Sequence, residues 1–461
     1  MYQHKELKLF TLVMINLTAV LSLSSIAYMA TIGLQSIFFF AVAAIMFFIP
    51  SALVSAELGG MMTDDNGGVY TWVSRAFGKN IGLVAIWMEW FNNVIGFPAT
   101  MAAMVATFAY VGFPSLASNS TSMFLLMLIV MWGITLFNCL PIGRITILNV
   151  IGGLFGMILP GVLLIGSAVY WFTSGATVNV HFSNSTEWVP TISFATFALF
   201  VKVLSSYSGI QAVSFHAKNI KRPAFNIPLS MLITVVIIFC LTTFATVSLA
   251  SIVPNSELNA LNGLIQGISV VLHKLELSYL APYISMCICI GMLAALSTWV
   301  LSPARGMQVV ASQGFIPQIF AKTNKAGMPI AVLFTQAVIG SVLATVFLYM
   351  PTIESAFAMI IALTSQFTVM MFSLIFLSAI RLRYSEPDTP RSFRVGKSGN
   401  AALIFCAGLG IIACGCGFFL GLFPPKFSHV QNVGEYITLM LIADAIIISI
   451  PFLYILYKKL K

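Results

Sequence analysis

Long apolar runs separated by short polar stretches organise this chain. Runs of spanning length fall at 9–30, 34–59, 81–112, 122–140, 145–172, 192–216, 226–252, 278–304, 329–350, 354–380, 400–423 and 433–457. A helix needs about 20 apolar residues to cross a bilayer, so the pattern predicts twelve transmembrane helices, spans 1 to 12 in order. The runs do not alternate apolar with polar residues, as the strands of a membrane barrel would. The fold class is therefore an all-α integral membrane protein. No small-residue cleavage site follows the first run, which predicts a retained span rather than a removed leader.

The basic residues give a direction to these spans. With the N-terminus in the cytoplasm, the outer loops hold only Lys274 and Lys426 of the 22 lysines and arginines. Lys202 falls inside span 6 and all the others lie in inner segments, as the positive-inside rule requires. The net charge of +9 is thus a membrane signature and implies no nucleic-acid partner. Composition agrees: 59% of the 461 residues are hydrophobic and 8% are charged, against about 25% charged in soluble domains. The mean hydropathy of +1.00 also excludes a disordered chain. The 7 cysteines all lie in apolar stretches and read as packing residues, not as disulfides or a metal site. The outer connection 253–277 is amphipathic and predicts a short surface helix. The Pro- and Arg-rich segment 382–399 predicts irregular structure.

Charged groups inside the hydrocarbon cost about 2.5–3.5 kcal/mol each on insertion scales, so each needs a reason. Glu57, near the cytoplasmic end of span 2, reads as a partner for a basic residue or an interhelical hydrogen bond. Asp444 in span 12 reads as peripheral to transport. Glu89 sits in a polar patch with Trp87, Trp90, Asn92 and Asn93 on span 3. Lys202 has three open readings: it balances a carboxylate such as Glu89, binds an anionic substrate group, or replaces a coupling cation. Lys202, Glu57 and Glu89 are the candidates for coupling or gating.

Two clusters of small polar residues interrupt otherwise apolar helices: Leu21-Ser22-Leu23-Ser24-Ser25 in span 1 and Ser205-Ser206-Tyr207-Ser208-Gly209 in span 6. Spans 1 and 6 are five apart, the relation expected of an inverted five-helix repeat with broken helices at its binding site. Broken half-helices offer N–H groups to a carboxylate and C=O groups to an ammonium or cation, which suits a zwitterionic amino acid. The candidate substrate-binding residues are Ser22, Leu23, Ser24, Ser25, Tyr207, Ser208, Gly209 and Gln211.

Several stretches resemble a known family. Ser55-Ala56-Glu57-Leu58, Gly67-Gly68-Val69-Tyr70-Thr71-Trp72-Val73 and Ala76-Phe77-Gly78 look like the span 2 to 3 signature of the amino acid–polyamine–organocation (APC) superfamily. Trp87-Met88-Glu89-Trp90 followed by Gly96-Phe97-Pro98 does so too. Ser206-Tyr207-Ser208-Gly209-Ile210-Gln211, then His216, Pro223 and Asn226-Ile227-Pro228-Leu229, resembles span 6 and its following loop. Ser302-Pro303-Ala304-Arg305-Gly306-Met307 and Asn324-Lys325-Ala326-Gly327-Met328-Pro329 resemble the end of span 8 and the start of span 9. The branch most resembled is that of bacterial glutamate/GABA antiporters. Two departures stand out. Many members carry a glutamate in span 6 where this chain has Gln211, and the glutamate/GABA branch carries another in span 8 where this chain has Ala295. With those fixed carboxylates missing, a neutral amino acid is expected to be the better substrate.

The resemblance implies a LeuT-like fold of five-plus-five inverted repeats with broken helices 1 and 6. A single transporter domain would then fill 1–461, with repeats at 9–172 and 192–380 and two extra helices at 400–457. The implied function is secondary active transport of an amino acid by alternating access in a bacterial inner membrane, with both termini cytoplasmic. Energy would come from exchange or from a proton or sodium gradient. The expected partners are that small molecule and membrane lipid, with no cofactor and no metal, and the oligomeric state stays open. A channel or a non-transporting sensor is the alternative. A membrane enzyme would need convergent catalytic groups, whereas the 5 histidines are scattered. No G-x-x-x-x-G-K-[ST] signature of an ATP-driven pump is present.

Overall fold

The computed structural model describes residues 7–63, 66–113, 115–116, 119–190, 194–259, 261–349, 353–396, 399–424 and 432–460. Lys426 of the outer loops lies outside the described residues. Among them the regular structure is helical, apart from an isolated bridge between Leu7 and Ile220. Ten helices are long and apolar enough to cross a membrane, or 11 when the bent pair Leu9–Val20 and Leu23–Ala30 counts as one span. Spans 2 to 5 are Gln35–Met61, Lys79–Gly112, Ser120–Phe137 and Ile142–Thr173. Spans 7 to 12 are Pro223–Ile252, Ser278–Ser312, Ile330–Tyr349, Ile360–Ser385, Ala401–Gly421 and Val433–Leu460.

Among the described residues the count reaches 11 of the twelve expected spans, and the one without a helix of spanning length is span 6, expected to be broken. It consists of a helix over Phe194–Ser206, 13 residues, and a 3-10 segment over Ile210–Asn219. Thirteen residues at about 1.5 Å each rise only about 20 Å, short of a hydrocarbon core of about 30 Å.

Local chemistry sets the ends and contacts of these helices. Asn119 caps span 4 by accepting from the Ser122 N–H at 3.0 Å. Pro223 opens span 7, where its missing N–H costs nothing. Spans 5 and 8 touch backbone to backbone: a Cβ added at Gly156 would lie 2.2 Å from the Gly291 nitrogen. Small residues four apart, here Gly152 and Gly156, permit that approach. The expected surface helix is Gly263–Lys274, whose Leu264, Ile265, Ile268 and Val271 are buried. Beyond Ser385 the chain is irregular to residue 396, as its prolines and arginines predict.

Ion pairs gather at the end of the molecule where span 10 finishes. Glu57 takes the structural role anticipated for it. Its carboxylate accepts from Arg383 at 2.9 and 2.5 Å and from the Val395 N–H at 2.8 Å. It also pairs with Arg391 at 3.2 Å.

A second pair, Arg75 with Glu386 at 2.7 Å, is more open, with side chains 39% and 28% exposed. The Arg75 guanidinium, donating to Glu386, holds that carboxyl below its ordinary value of 4.5. A depressed carboxyl stabilises the fold above its ordinary value and loses that contribution as pH falls through the depressed one. Thermal melts in detergent should therefore show Arg75→Ala less stable by under ~1 kcal/mol at neutral pH, because solvent screens an exposed pair. The gap should close as pH drops below 4.5, and a gap that widened there would contradict this assignment.

Candidate functional site

Both expected breaks are present. The first helix stops at Val20, Leu21 and Ser22 are extended, and the chain resumes at Leu23 after a 45° bend. Ser25 donates to the Ser22 hydroxyl at 2.8 Å, and Ser24 lies 3.2 Å from the same oxygen. The serine cluster thus fixes the shape of the break. In span 6 the helix ends at Ser206, the Ser208 hydroxyl donates to the Ser205 carbonyl at 2.6 Å, and Gly209 has φ +113°. Only glycine adopts such a conformation readily. A 3-10 run as long as the one that follows is unusual and commonly marks a hinge.

The two breaks meet at span 8. A Cβ on Gly209 would lie 2.7 Å from the Ala19 carbonyl oxygen and 2.8 Å from the Trp299 ring. Trp299 Nε1 donates to that same carbonyl at 2.9 Å.

Between the breaks lies a cavity of about 170 Å³. A cavity of about 150 Å³ holds benzene, so this one is sized for a single small solute. Span 1 contributes Ser22, Leu23 and Ser24, and span 6 contributes Lys202, Ser205 and Ser208. Asn92, Asn93 and Thr100 come from span 3, Ala295 and Trp299 from span 8, and Thr364 and Thr368 from span 10. Lys202 is the only charged side chain in this lining. It has no hydrogen bond or ion pair among the described residues, so of its three open readings the balance with Glu89 is not formed. Asn92 is also in the wall, and its side-chain oxygen is a buried acceptor with no partner among the described residues.

The expected binding set divides. Ser22, Leu23, Ser24 and Ser208 face the cavity, whereas Ser25, Tyr207, Gly209 and Gln211 lie behind its wall. Ser25 braces Ser22. The Tyr207 ring stacks on Phe48 with centroids 4.4 Å apart and planes 8° apart, which turns it into the apolar core. The Gln211 side-chain oxygen accepts from the Gly209 N–H at 3.0 Å, and its amide donates to Glu89 at 3.0 Å. Of the three coupling or gating candidates, Lys202 is in the wall, Glu89 stands one hydrogen bond behind it, and Glu57 belongs to the ion-pair cluster.

Sequence reasoning missed Thr364 and Thr368. Their spacing of four on an apolar helix puts both on one face, a signal that could have found them.

A model of the amino acid permease family matches residues 7–447. The chain belongs to that family. The permease is 31% identical over 454 residues to an uncharacterised transporter of Legionella pneumophila, covering 98% of this chain and 97% of the other. It is 27% identical to a glutamate/gamma-aminobutyrate antiporter of Lactococcus lactis, over 99% of this chain and 91% of that protein. A probable agmatine/putrescine antiporter of Lactococcus lactis is 22% identical over 87% of this chain and 85% of its own. The permease is thus a multi-span secondary transporter of LeuT-like fold with a small-molecule substrate, not an enzyme. The channel and sensor readings are not favoured.

Proposed function

We propose that this permease carries an acidic amino acid across a bacterial inner membrane by alternating access, as an antiporter or with a coupling ion. One observation carries the substrate class: the cavity wall holds the Lys202 ammonium, no carboxylate, and no partner for that ammonium among the described residues. A buried cation attracts an anion strongly where water is scarce. The substrate's extra carboxylate pairs with Lys202, and its α-carboxylate takes the N–H groups at the start of Leu23–Ala30. Ala295 supports the same reading. It lines the wall where the resemblance places a glutamate in the glutamate/GABA branch, so the negative charge lost there leaves Lys202 unopposed. That turns the expectation of a neutral substrate into one of an anionic substrate. Agmatine and putrescine, the cations named for one relative, meet like charge at Lys202.

In this reading 9–172 and 192–380 are the two repeats and 400–457 is an addition. The bundle of spans 1, 2, 6 and 7 rocks against spans 3, 4, 8 and 9. Both termini are cytoplasmic and lipid surrounds the helices. The lining occupies the middle of span 3, from Asn92 to Ala103, and of span 10, from Ile361 to Thr368, the depth at which a substrate site between broken helices is expected.

Binding of glutamate, aspartate, glutamine and putrescine to the purified protein tests the proposal. Glutamate or aspartate should bind best. Lys202→Met should weaken the acidic ligand by about 10- to 150-fold, the worth of a hydrogen bond to a charged group, and spare glutamine. Equal binding of glutamate and glutamine by the unaltered protein, or an unchanged acidic preference in Lys202→Met, would sink this substrate assignment.

A further inference from the structure

We propose that Glu89 carries the proton that couples this transporter, and that Gln211 transmits the charge state of Glu89 to the break in span 6. The proposal rests on reading the cavity as the transport site, but not on the substrate being acidic.

Glu89 is 1% exposed. It sits three and four residues before Asn92 and Asn93 on span 3, one helical turn from the cavity wall. One carboxyl oxygen accepts from the Gln211 amide at 3.0 Å, and the other has no partner among the described residues. An ionised carboxylate has about four acceptor sites, so the group is far from satisfied by protein alone. Its orientation is not ambiguous. The Gln211 oxygen is committed to the Gly209 N–H at 3.0 Å, so the Gln211 amide nitrogen must face Glu89.

This chain of two bonds ends on the hinge itself, the glycine with φ +113° that separates the half-helix from the 3-10 segment. A hydrogen bond to an ionised carboxylate is about twice as strong as one to a neutral acid. Gaining or losing a proton at Glu89 therefore changes how firmly Gln211 is held, and with it the N–H that fixes the break. Two charge states of a buried group without a counter-charge differ sharply in cost. The proton thus moves only when the surroundings move, which is the coupling a transporter needs.

Ionisable groups on neighbouring elements are otherwise engaged or distinct. Arg305 of span 8 donates to His216 at 2.9 Å. Arg383 of span 10 holds Glu57, and Arg75 holds Glu386. Lys202 faces the cavity. None of them forms an ion pair with Glu89 among the described residues. Asp444 of span 12 is a second buried carboxyl with no partner among the described residues, and it is the control. A divalent metal ion is a poorer occupant than a proton, since it takes about six or more oxygens. Among the described residues no group of three acidic, His or Cys side chains gathers to hold one.

The test uses the full chain in liposomes that enclose a pH-sensitive dye, offered each of the twenty common amino acids and γ-aminobutyrate. Transported solutes should move protons in the unaltered protein and in Asp444→Asn. Glu89→Gln should still exchange the same solute while its proton movement falls at least tenfold. Transport without proton movement in the unaltered protein, or undiminished movement in Glu89→Gln, would overturn the proposal. If Glu89→Gln does not insert, Gln211→Leu keeps the carboxyl and cuts its link to Gly209. Its ratio of protons to solute should fall, and an unchanged ratio overturns the proposal. Absence of transport for every solute would instead overturn the transport reading and this proposal with it. Loss of acidic preference alone would leave this one standing.

Discussion

Gly209→Leu should abolish saturable substrate binding while the protein still inserts and is made in normal amounts. The residue has φ +113°, and a side chain held in such a region costs on the order of 1–3 kcal/mol by strain alone. Space adds to strain. The Cβ would meet the Ala19 carbonyl oxygen at 2.7 Å and the Trp299 ring at 2.8 Å. The carbonyl belongs to backbone and cannot swing aside, and Trp299 is tied to it by a 2.9 Å bond. Relief must come from moving the half-helices apart, and those half-helices form two walls of the cavity. A loss of about 3 kcal/mol already weakens binding more than a hundredfold. Gly166→Leu is the control, because a Cβ there meets nothing within 4 Å; it should bind as the unaltered protein does. Normal affinity in Gly209→Leu would show that the break does not shape the site.

The helical class and both breaks were legible in the sequence because each is a local property. Apolar run length fixes a span, and a cluster of serines or a glycine in such a run marks where a helix stops. Contacts between distant residues were not legible. Glu57 and Arg383 are 326 positions apart, and no spacing rule joins them. Tyr207 has the composition of a site residue, a ring with a polar tip beside serines, but its direction is set by Phe48 on another helix. Lys202 stood out as the one basic residue inside a span, yet its lack of an ion pair is a fact about its neighbours. The break in span 6 was legible from Ser205 to Gly209, but not the 3-10 winding of Ile210–Asn219 beyond it, because hydropathy does not distinguish one helical winding from another.

Glu57→Ala should cost about 3–5 kcal/mol of stability, the range for breaking a buried ion pair by removing one partner. The Arg383 side chain is 1% exposed and that of Glu57 is 3% exposed. Arg391, 4% exposed, shares the same carboxylate. Removing Glu57 therefore leaves two guanidinium groups side by side with no anion between them, and it also strips the Val395 N–H of its acceptor. The remaining bonds from Arg383, to the Gly399 and Val395 carbonyls at 3.1 and 3.2 Å, satisfy geometry but do not cancel charge. The double variant Glu57→Leu, Arg383→Met separates charge from packing. It exchanges the pair for apolar groups, which is often neutral or even favourable, so it should be more stable than Glu57→Leu alone despite carrying one more change. Unfolding measured in detergent decides between the outcomes. A Glu57→Ala protein within about 0.5 kcal/mol of the original, the range of an ordinary surface change, would mean the cluster holds nothing together. If the expected loss is found, spans 2 and 10 are fastened to one another at this end. The ion pair is then a joint that any rocking of span 2 must keep intact or break.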